Sequence, residues 1–337
     1  MDIGKIMKRK WLAVGIILLF IGTCIIPAIA QDIEKPLPAS RGSWLYVGGS
    51  GPGNYSVIQD AVDNASDGDT VFVYSGIYND YFPSGQWGNC VLVNKRINLI
   101  GENKYTTMIN ASGGWTVVRI QNDGVNISGF TIENSGGVFE NGGVVVMDWY
   151  DYINIYDNIF VNNNYGINLN SWNSHVMIYN NTIAFNGIGI NIYDNTECSI
   201  FNNKIFNNTK GIINIYGDEK SSISSNNIRN NILGVQMDNS RFIVQNNNFI
   251  SNQNDTQMNK ISYIREMPYI PFVRMKWMNN YWDTWETTNP RPIKGTIFLF
   301  IELFFAGSFF DMFLVKIPYR QYDWHPAQEP YDIPEMN

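Results

Sequence analysis

The stretch Ile178–Ile228, IYNNTIAFNGIGINIYDNTECSIFNNKIFNNTKGIINIYGDEKSSISSNNI, decides the fold. Within it IYNNTI at Ile178, IFNNKI at Ile200 and ISSNNI at Ile223 are versions of one phrase, 22 and 23 residues apart. Working outward, ISGFTI begins at Ile127, IYDNIF at Ile155 and VQNNNF at Val244, so successive starts lie 28, 23, 22, 23 and 21 residues apart. WMNNYW follows at Trp277 after a gap of 33, and INLIGEN (Ile97–Asn103) marks an earlier pass. Residues 151–250 hold 26 asparagines, and most of these fall into register rather than scatter.

Three registers recur. The fourth position of the phrase is Asn158, Asn181, Asn203, Asn226, Asn247 and Asn280. The ninth is Asn163, Asn186, Asn208, Asn231 and Asn252, and the twelfth is Gly166, Gly189, Gly211 and Gly234. Between them apolar residues alternate, as in Ile153/Ile155, Val176/Ile178, Ile167/Leu169 and Ile190/Ile192. Alternation of period two marks short strands with one face buried. A strand of three to five residues cannot bury that face alone, so each coil needs the next one stacked on it. Stacking at about 4.8 Å places asparagine over asparagine and isoleucine over isoleucine. Asparagine suits such corners because it tolerates a left-handed backbone and its amide can bond to its copies above and below. The recurring glycine is expected to serve a corner with positive φ.

These observations predict an all-β fold, a right-handed single-stranded parallel β-helix with coils of about 22 residues. A leucine-rich horseshoe would need an L-x-x-L-x-L frame, and paired-helix repeats would need a period of 3.6; the chain has neither.

The N-terminus reads as a targeting segment. Lys5, Lys8, Arg9 and Lys10 precede the apolar run Trp11–Ile26, and Ala28-Ile29-Ala30 supplies small residues before Gln31. Residues 1–30 fit a cleaved signal peptide, and the length of the apolar run also fits an uncleaved anchor helix. That helix is the one membrane contact the sequence predicts. Without those residues the formal charge moves from −7 to −10, which disfavours nucleic acid as a partner. Cys90 and Cys198 lie too far apart to anchor a disulfide framework, and Cys198 falls on an apolar slot of the repeat. Seven N-x-S/T sequons, from Asn54 to Asn254, fit an exported glycoprotein.

A stacked core has open ends that need capping. Ser56–Ala65 reads as a short amphipathic helix turning Val57, Ile58, Ala61 and Val62 inward, followed by the turn Ser66–Asp69 and a strand from Thr70 to Tyr74. The whole opening, YSVIQDAVDNASDGDTVFVYSGIYND (residues 55–80), resembles that of the pectin-lyase-like superfamily. Members of that superfamily begin with a cap helix, a G-D-T turn and a G-x-Y strand end. The asparagine-rich coils resemble NosD-type repeats of the CASH group, named for carbohydrate-binding proteins and sugar hydrolases. The resemblance covers roughly residues 44–283. It implies the pectin-lyase-like solenoid and, because NosD assists maturation of nitrous oxide reductase, an alternative role in copper handling.

The expected organisation is therefore a signal or anchor at 1–30, a cap and first coils at 31–96, repeats at 97–283, and capping strands with a tail at 284–337. Thr296–Val315 is apolar enough to suggest a membrane span. Glu302 and Asp311 argue against one, at about 2.5–3.5 kcal/mol each near a bilayer centre. Ala306-Gly307-Ser308 then divides the run into two final strands.

Chemistry on such a stack would come from the loop after each third strand. There the repeat is expected to line up Asp151, Asp194, Asp218 and Asp238, with Trp149, Trp172 and Tyr193 beside them. Carboxylates next to aromatics can bind sugar rings, place a Ca²⁺ ion or form a hydrolase pair, and the same residue types are what turns use anyway. The N-T-D, G-H-G and R-I-K motifs expected of polygalacturonase relatives are absent, as are Q-D-T and D-F-I-F-G of pectin methylesterases. Neither Arg229 nor Arg291 makes a convincing lyase base. Copper favours His, Cys and Met clusters, whereas His175 and His325 are far apart and Met147 and Met237 fall in or beside strands. The sequence thus predicts an exported, extracellular or cell-surface β-helix that binds a polysaccharide or cell-envelope glycan along one flank, with no resident metal and no cofactor beyond a Ca²⁺ option. A polysaccharide lyase or glycoside hydrolase, acting on acidic or neutral polysaccharide, and a copper-handling accessory protein are the alternatives.

Overall fold

The computed structural model describes residues 42–80, 82–84, 87–137, 141–264, 276–305 and 308–333. The predicted targeting segment at residues 1–30 lies outside them. Each coil runs through three short strands. In the coil after Ile153 these are Asn154–Tyr156, Ile159–Val161 and Tyr165–Leu169. Each strand pairs in parallel with its counterpart one coil on, as Ile155 with Ile178, Phe160 with Ile183 and Ile167 with Ile190. Among the described residues the second strands form a nine-stranded parallel sheet from Gly76–Tyr78 to Tyr281–Trp282. The protein is a parallel β-helix, and the alternating residues that suggested it form its core. Ile155, Ile178, Ile200, Ile223 and Val244 stack in one fully buried column.

The two corner asparagines divide the work expected of one. The residue that turns the chain through the left-handed region is the third of the phrase, with φ between 53° and 56° at Asp157, Asn180, Asn202, Ser225, Asn246 and Asn279. The fourth residue, always asparagine, is fully buried beside it. Asn203 is typical: its Oδ1 accepts the backbone N–H of Asn181 at 3.0 Å, and its Nδ2 donates to Ile178 O, Phe201 O and Asn226 Oδ1 at 2.8, 3.0 and 3.0 Å. Each side chain so closes backbone groups that the turn removes from the sheets, as buried polar groups require. Asn163, Asn186, Asn208, Asn231 and Asn252 build a second such ladder at the next corner.

The glycine register has a different cause from the one expected. Gly166, Gly189, Gly211 and Gly234 sit inside the third strands without positive φ. A Cβ on any of them would lie 2.5–2.6 Å from the carbonyl oxygen of the residue one coil on. Close approach of coils, not backbone freedom, reserves the position for glycine.

The two ends are closed differently, by a helix at the start and by a side chain that continues a ladder at the far end. At the start, helix α1 (Ile58–Asn64) buries Ile58, Ala61 and Val62, while Gln59 accepts from Leu92 N at 2.6 Å. At the far end the carboxylate of Asp323 takes the place of a further asparagine. It is fully buried, and one oxygen accepts from Asn280 N, Asn280 Nδ2 and Trp282 Nε1 at 3.0, 3.1 and 3.1 Å. The tail then lies over the last coil, where Asn248 and Tyr331 exchange hydrogen bonds of 2.9 and 2.8 Å.

The apolar run near the C-terminus is an antiparallel hairpin of Arg291–Phe305 and Ser308–Asp323; residues 306 and 307 lie outside the described set. Its first strand pairs in parallel with Asn254–Ile264. That pairing continues beyond Asn259, the last residue matched to the preceding coil, so three strands extend past the corner where earlier coils turn. Among the described residues no helix is long and apolar enough to cross a membrane.

Cys90 and Cys198 are free and buried in or beside the core. Burial pushes their thiols up to about 11 and about 12. Neither is a thiolate at neutral pH, so both should resist iodoacetamide in the folded protein and react fully in denaturant, as read by intact mass. Labelling of either thiol at the rate of a free peptide thiol would contradict this packing.

Candidate functional site

The loops joining each third strand to the next first strand carry large aromatic residues in the open in successive coils. One left-handed position recurs in five of these loops and a second in three of them. The first is held by Trp149, Trp172, Asp194, Tyr216 and Asn239, the second by Tyr152, His175 and Glu197. A left-handed residue directs its side chain away from the turn it makes, and here that direction is solvent. Trp149 and Trp172 are 67% and 50% exposed, yet their rings stack at 4.5 Å and 21°. Tyr193 meets Tyr216 edge-on at 5.8 Å, and both are exposed. A buried third ladder anchors these loops, with Asn173 Oδ1 accepting Tyr150 N at 2.8 Å and Asn195 Oδ1 accepting Asn173 N at 2.7 Å. The rings therefore stand on a rigid base.

The structure distributes the four aspartates differently from a single row. Asp151 and Asp218 share one function, since each Oδ1 accepts a backbone N–H from the adjoining coil, Ser174 at 2.7 Å and Glu197 at 3.3 Å. Asp194 occupies a left-handed position in the other register. Asp238 ends a third strand, where its neighbours across the sheet are Ile215 and Asn259. Burial pushes the Asp238 carboxyl up, opposed by hydrogen bonds from Gln236 at 2.6 Å and Asn259 at 2.7 Å. Asp151 and Asp218 are thus committed to holding turns, and Asp238 stands beside an amide and an aliphatic side chain.

A second row escaped the sequence reading. Tyr152, His175, Glu197 and Lys220 lie 23, 22 and 23 residues apart, the spacing of the asparagines, but no two share a chemistry, which hides the register. The Tyr152 ring stacks on His175 at 4.6 Å. His175 Nε2 lies 2.7 Å from Glu197 Oε2, and its Nδ1 is 2.8 Å from Ser174 Oγ. Lys220 binds the other oxygen of Glu197 and holds its carboxyl below the usual range. Serine, histidine and glutamate in that order have the outline of a nucleophile, a base and its orienter. The backbone N–H groups of Ser174 and Glu197 are already given to Asp151 and Asp218, so neither is free to receive an oxyanion. The row is built as a chain of mutually satisfied groups.

Parallel coils, buried asparagine ladders at the corners and a flank of projecting loops define a pectin-lyase-like β-helix. Among solved structures the pectate lyase Pel9A is similar over 72% of this chain and 75% of its own, with 14% identity and a TM-score of 0.51. Pectin methylesterase from carrot matches at 13% identity and TM-score 0.39, covering 72% of this chain and 82% of its own. The Aspergillus niger pectin methylesterase matches at 14% and 0.37, over 79% and 86%. At 14% identity the likeness to Pel9A carries the fold and no more. The family model described as "Periplasmic copper-binding protein (NosD)" matches residues 62–295, and the chain belongs to the NosD family. No curated protein matches the chain.

The described residues do not fit a resident copper ion. Among them no group of three or more His, Cys, Asp and Glu side chains is placed to hold a metal. The described thiols are both buried and protonated and Met237 is fully buried, which makes these three soft donors unsuited as well.

Proposed function

We propose that this protein is an exported, non-catalytic NosD-family β-helix that binds a cell-envelope or extracellular glycan along its loop edge. The observation that carries the reading is the pair Trp149 and Trp172, stacked on each other and open to solvent. Indole rings are costly to expose unless something docks on them, and rigid aromatics on a satisfied base are the usual anchors of a binding surface. The Tyr152–His175 pair lies beside them and Tyr193–Tyr216 continues the edge. Export follows the basic and apolar N-terminal pattern and agrees with the periplasmic description of the family.

The test is a glycan array followed by calorimetry and product analysis. Binding without release of unsaturated or reducing-end products supports the reading. Trp149→Ala with Trp172→Ala should weaken binding at least about tenfold while moving stability by no more than about 1 kcal/mol. Undiminished binding by that double variant would remove the edge from the account, and bond cleavage would turn the protein into a lyase or hydrolase.

The family match favours a second reading, in which copper is cargo. Copper content measured after loading and desalting distinguishes it: stoichiometric retention supports copper handling, and none contradicts it.

A further inference from the structure

We propose that the ring edge takes a linear glycan of neutral or amino sugars laid along the solenoid axis, and discriminates against polyuronates. The inference rests on the glycan-binding reading above and concerns which glycans that edge accepts.

Geometry favours a chain running across the coils. Trp149, Trp172, Asp194 and Tyr216 occupy the same left-handed position in four successive loops. Coils repeat at about 4.8 Å, close to the rise of one sugar in an extended β-1,4-linked chain. Each sugar along the axis therefore meets one loop, and each loop supplies a ring or a polar side chain. The extension made by Asn254–Ile264 and the C-terminal hairpin stands past the corner at the end of this edge. It bounds the run at the Arg241 end, and at the other end the adjoining loop, Gln121–Val125, carries no ring, so affinity should stop rising once a ligand is about five sugars long.

Charge selects the class. The loop segments 148–152, 171–175, 193–197, 216–220 and 238–241 carry seven carboxylates against two cations, Lys220 and Arg241. Lys220 is already paired with Glu197. A polyuronate would bring one more carboxylate per sugar to a surface that has none of its cations free but Arg241, and like charges brought together give discrimination rather than affinity. An ammonium group gains from the carboxylates, and the rims of the stacked rings add apolar contact to any sugar that lies across them. An uncharged sugar makes the same apolar contact without the charge term, which places neutral glycans between the two.

Calorimetric titration of the full chain with three pentasaccharides tests this. The ligands are a β-1,4-glucosamine oligomer, its N-acetylated form and an oligogalacturonate, at about pH 5.5, where amines and carboxylates are both charged. The expected order is glucosamine, then N-acetylglucosamine, then galacturonate, with about tenfold or more between first and last. Raising the salt should narrow that ratio, and so should Asp148→Asn with Asp194→Asn. Galacturonate binding as tight as glucosamine, or a ratio unchanged in the double variant, overturns the charge inference and leaves the edge as a glycan site. No binding of any of the three by the wild-type chain, together with a blank array, overturns both.

Discussion

Replacing Asn203 with leucine is expected to lower the unfolding free energy by about 4 kcal/mol, a large fraction of a typical domain's stability margin. Leucine nearly matches asparagine in shape, so the loss is electrostatic. The Asn203 amide accepts from the backbone N–H of Asn181 and donates to the carbonyl of Ile178 and to Asn226 Oδ1, all within a corner closed to water. Leucine leaves at least the Asn181 N–H and the Ile178 carbonyl buried without those partners, and each such orphan costs about 1–3 kcal/mol. The adjacent Asn202 makes the control. It holds φ at 55°, a conformation glycine adopts freely, so Asn202→Gly should change stability by no more than about 0.5 kcal/mol. Urea unfolding with matched m-values measures both. Equal losses at the two positions would mean that the division of labour within the asparagine pair is wrong.

Gly211→Ala should be nearly as damaging, at about 3 kcal/mol or more. The added methyl would lie 2.5 Å from the carbonyl oxygen of Gly234, and since the backbone fixes the position of a Cβ as it does that of a carbonyl oxygen, no rotamer change relieves the contact. The coils must separate locally, weakening the parallel pairs Lys210–Leu233 and Ile212–Val235 that flank the site. Gly113 separates this cause from backbone conformation. It has φ of 79° with nothing within 4 Å of its missing Cβ, so Gly113→Ala should cost about 1–2 kcal/mol through strain alone. If the two alanines were equally costly, or Gly113→Ala the worse, crowding between coils would not be what holds glycine in the repeat. The register itself shows the same rule, since Asp255 occupies it only where the asparagine ladder ends at Asn252 and the ion pair with Arg291 begins.

These two positions also show how far the sequence can be read. The spacing of Asn158, Asn181 and Asn203 is enough to place the boundaries of the regular coils between Ile155 and Asn252, because a solenoid makes one-dimensional repetition into stacking. Neighbouring asparagines such as Asn202 and Asn203 look identical in the sequence and differ only in φ and burial, which depend on the coils above and below. Gly189 and Gly211 likewise signal a missing side chain without saying whether a turn or a neighbour demands it. The edge was legible in part. Trp149 and Trp172 are conspicuous because both are tryptophan, one coil apart. Tyr152, His175, Glu197 and Lys220 keep the same spacing but change chemistry at each step, so only their contacts reveal a row. Asp323 was hidden for another reason: it completes a ladder whose previous rung, Asn280, lies 43 residues earlier.

The edge itself can be mapped by covalent footprinting with mass spectrometry, on the full chain with and without a bound pentasaccharide. Protection is expected in the loops at 148–152, 171–175, 193–197 and 216–220, strongest at Trp149 and Trp172, with the flat sheet faces unchanged. Protection centred on the half-buried stack of Tyr156, Tyr179 and Phe201, or elsewhere away from those loops, would contradict the assignment of function to this edge.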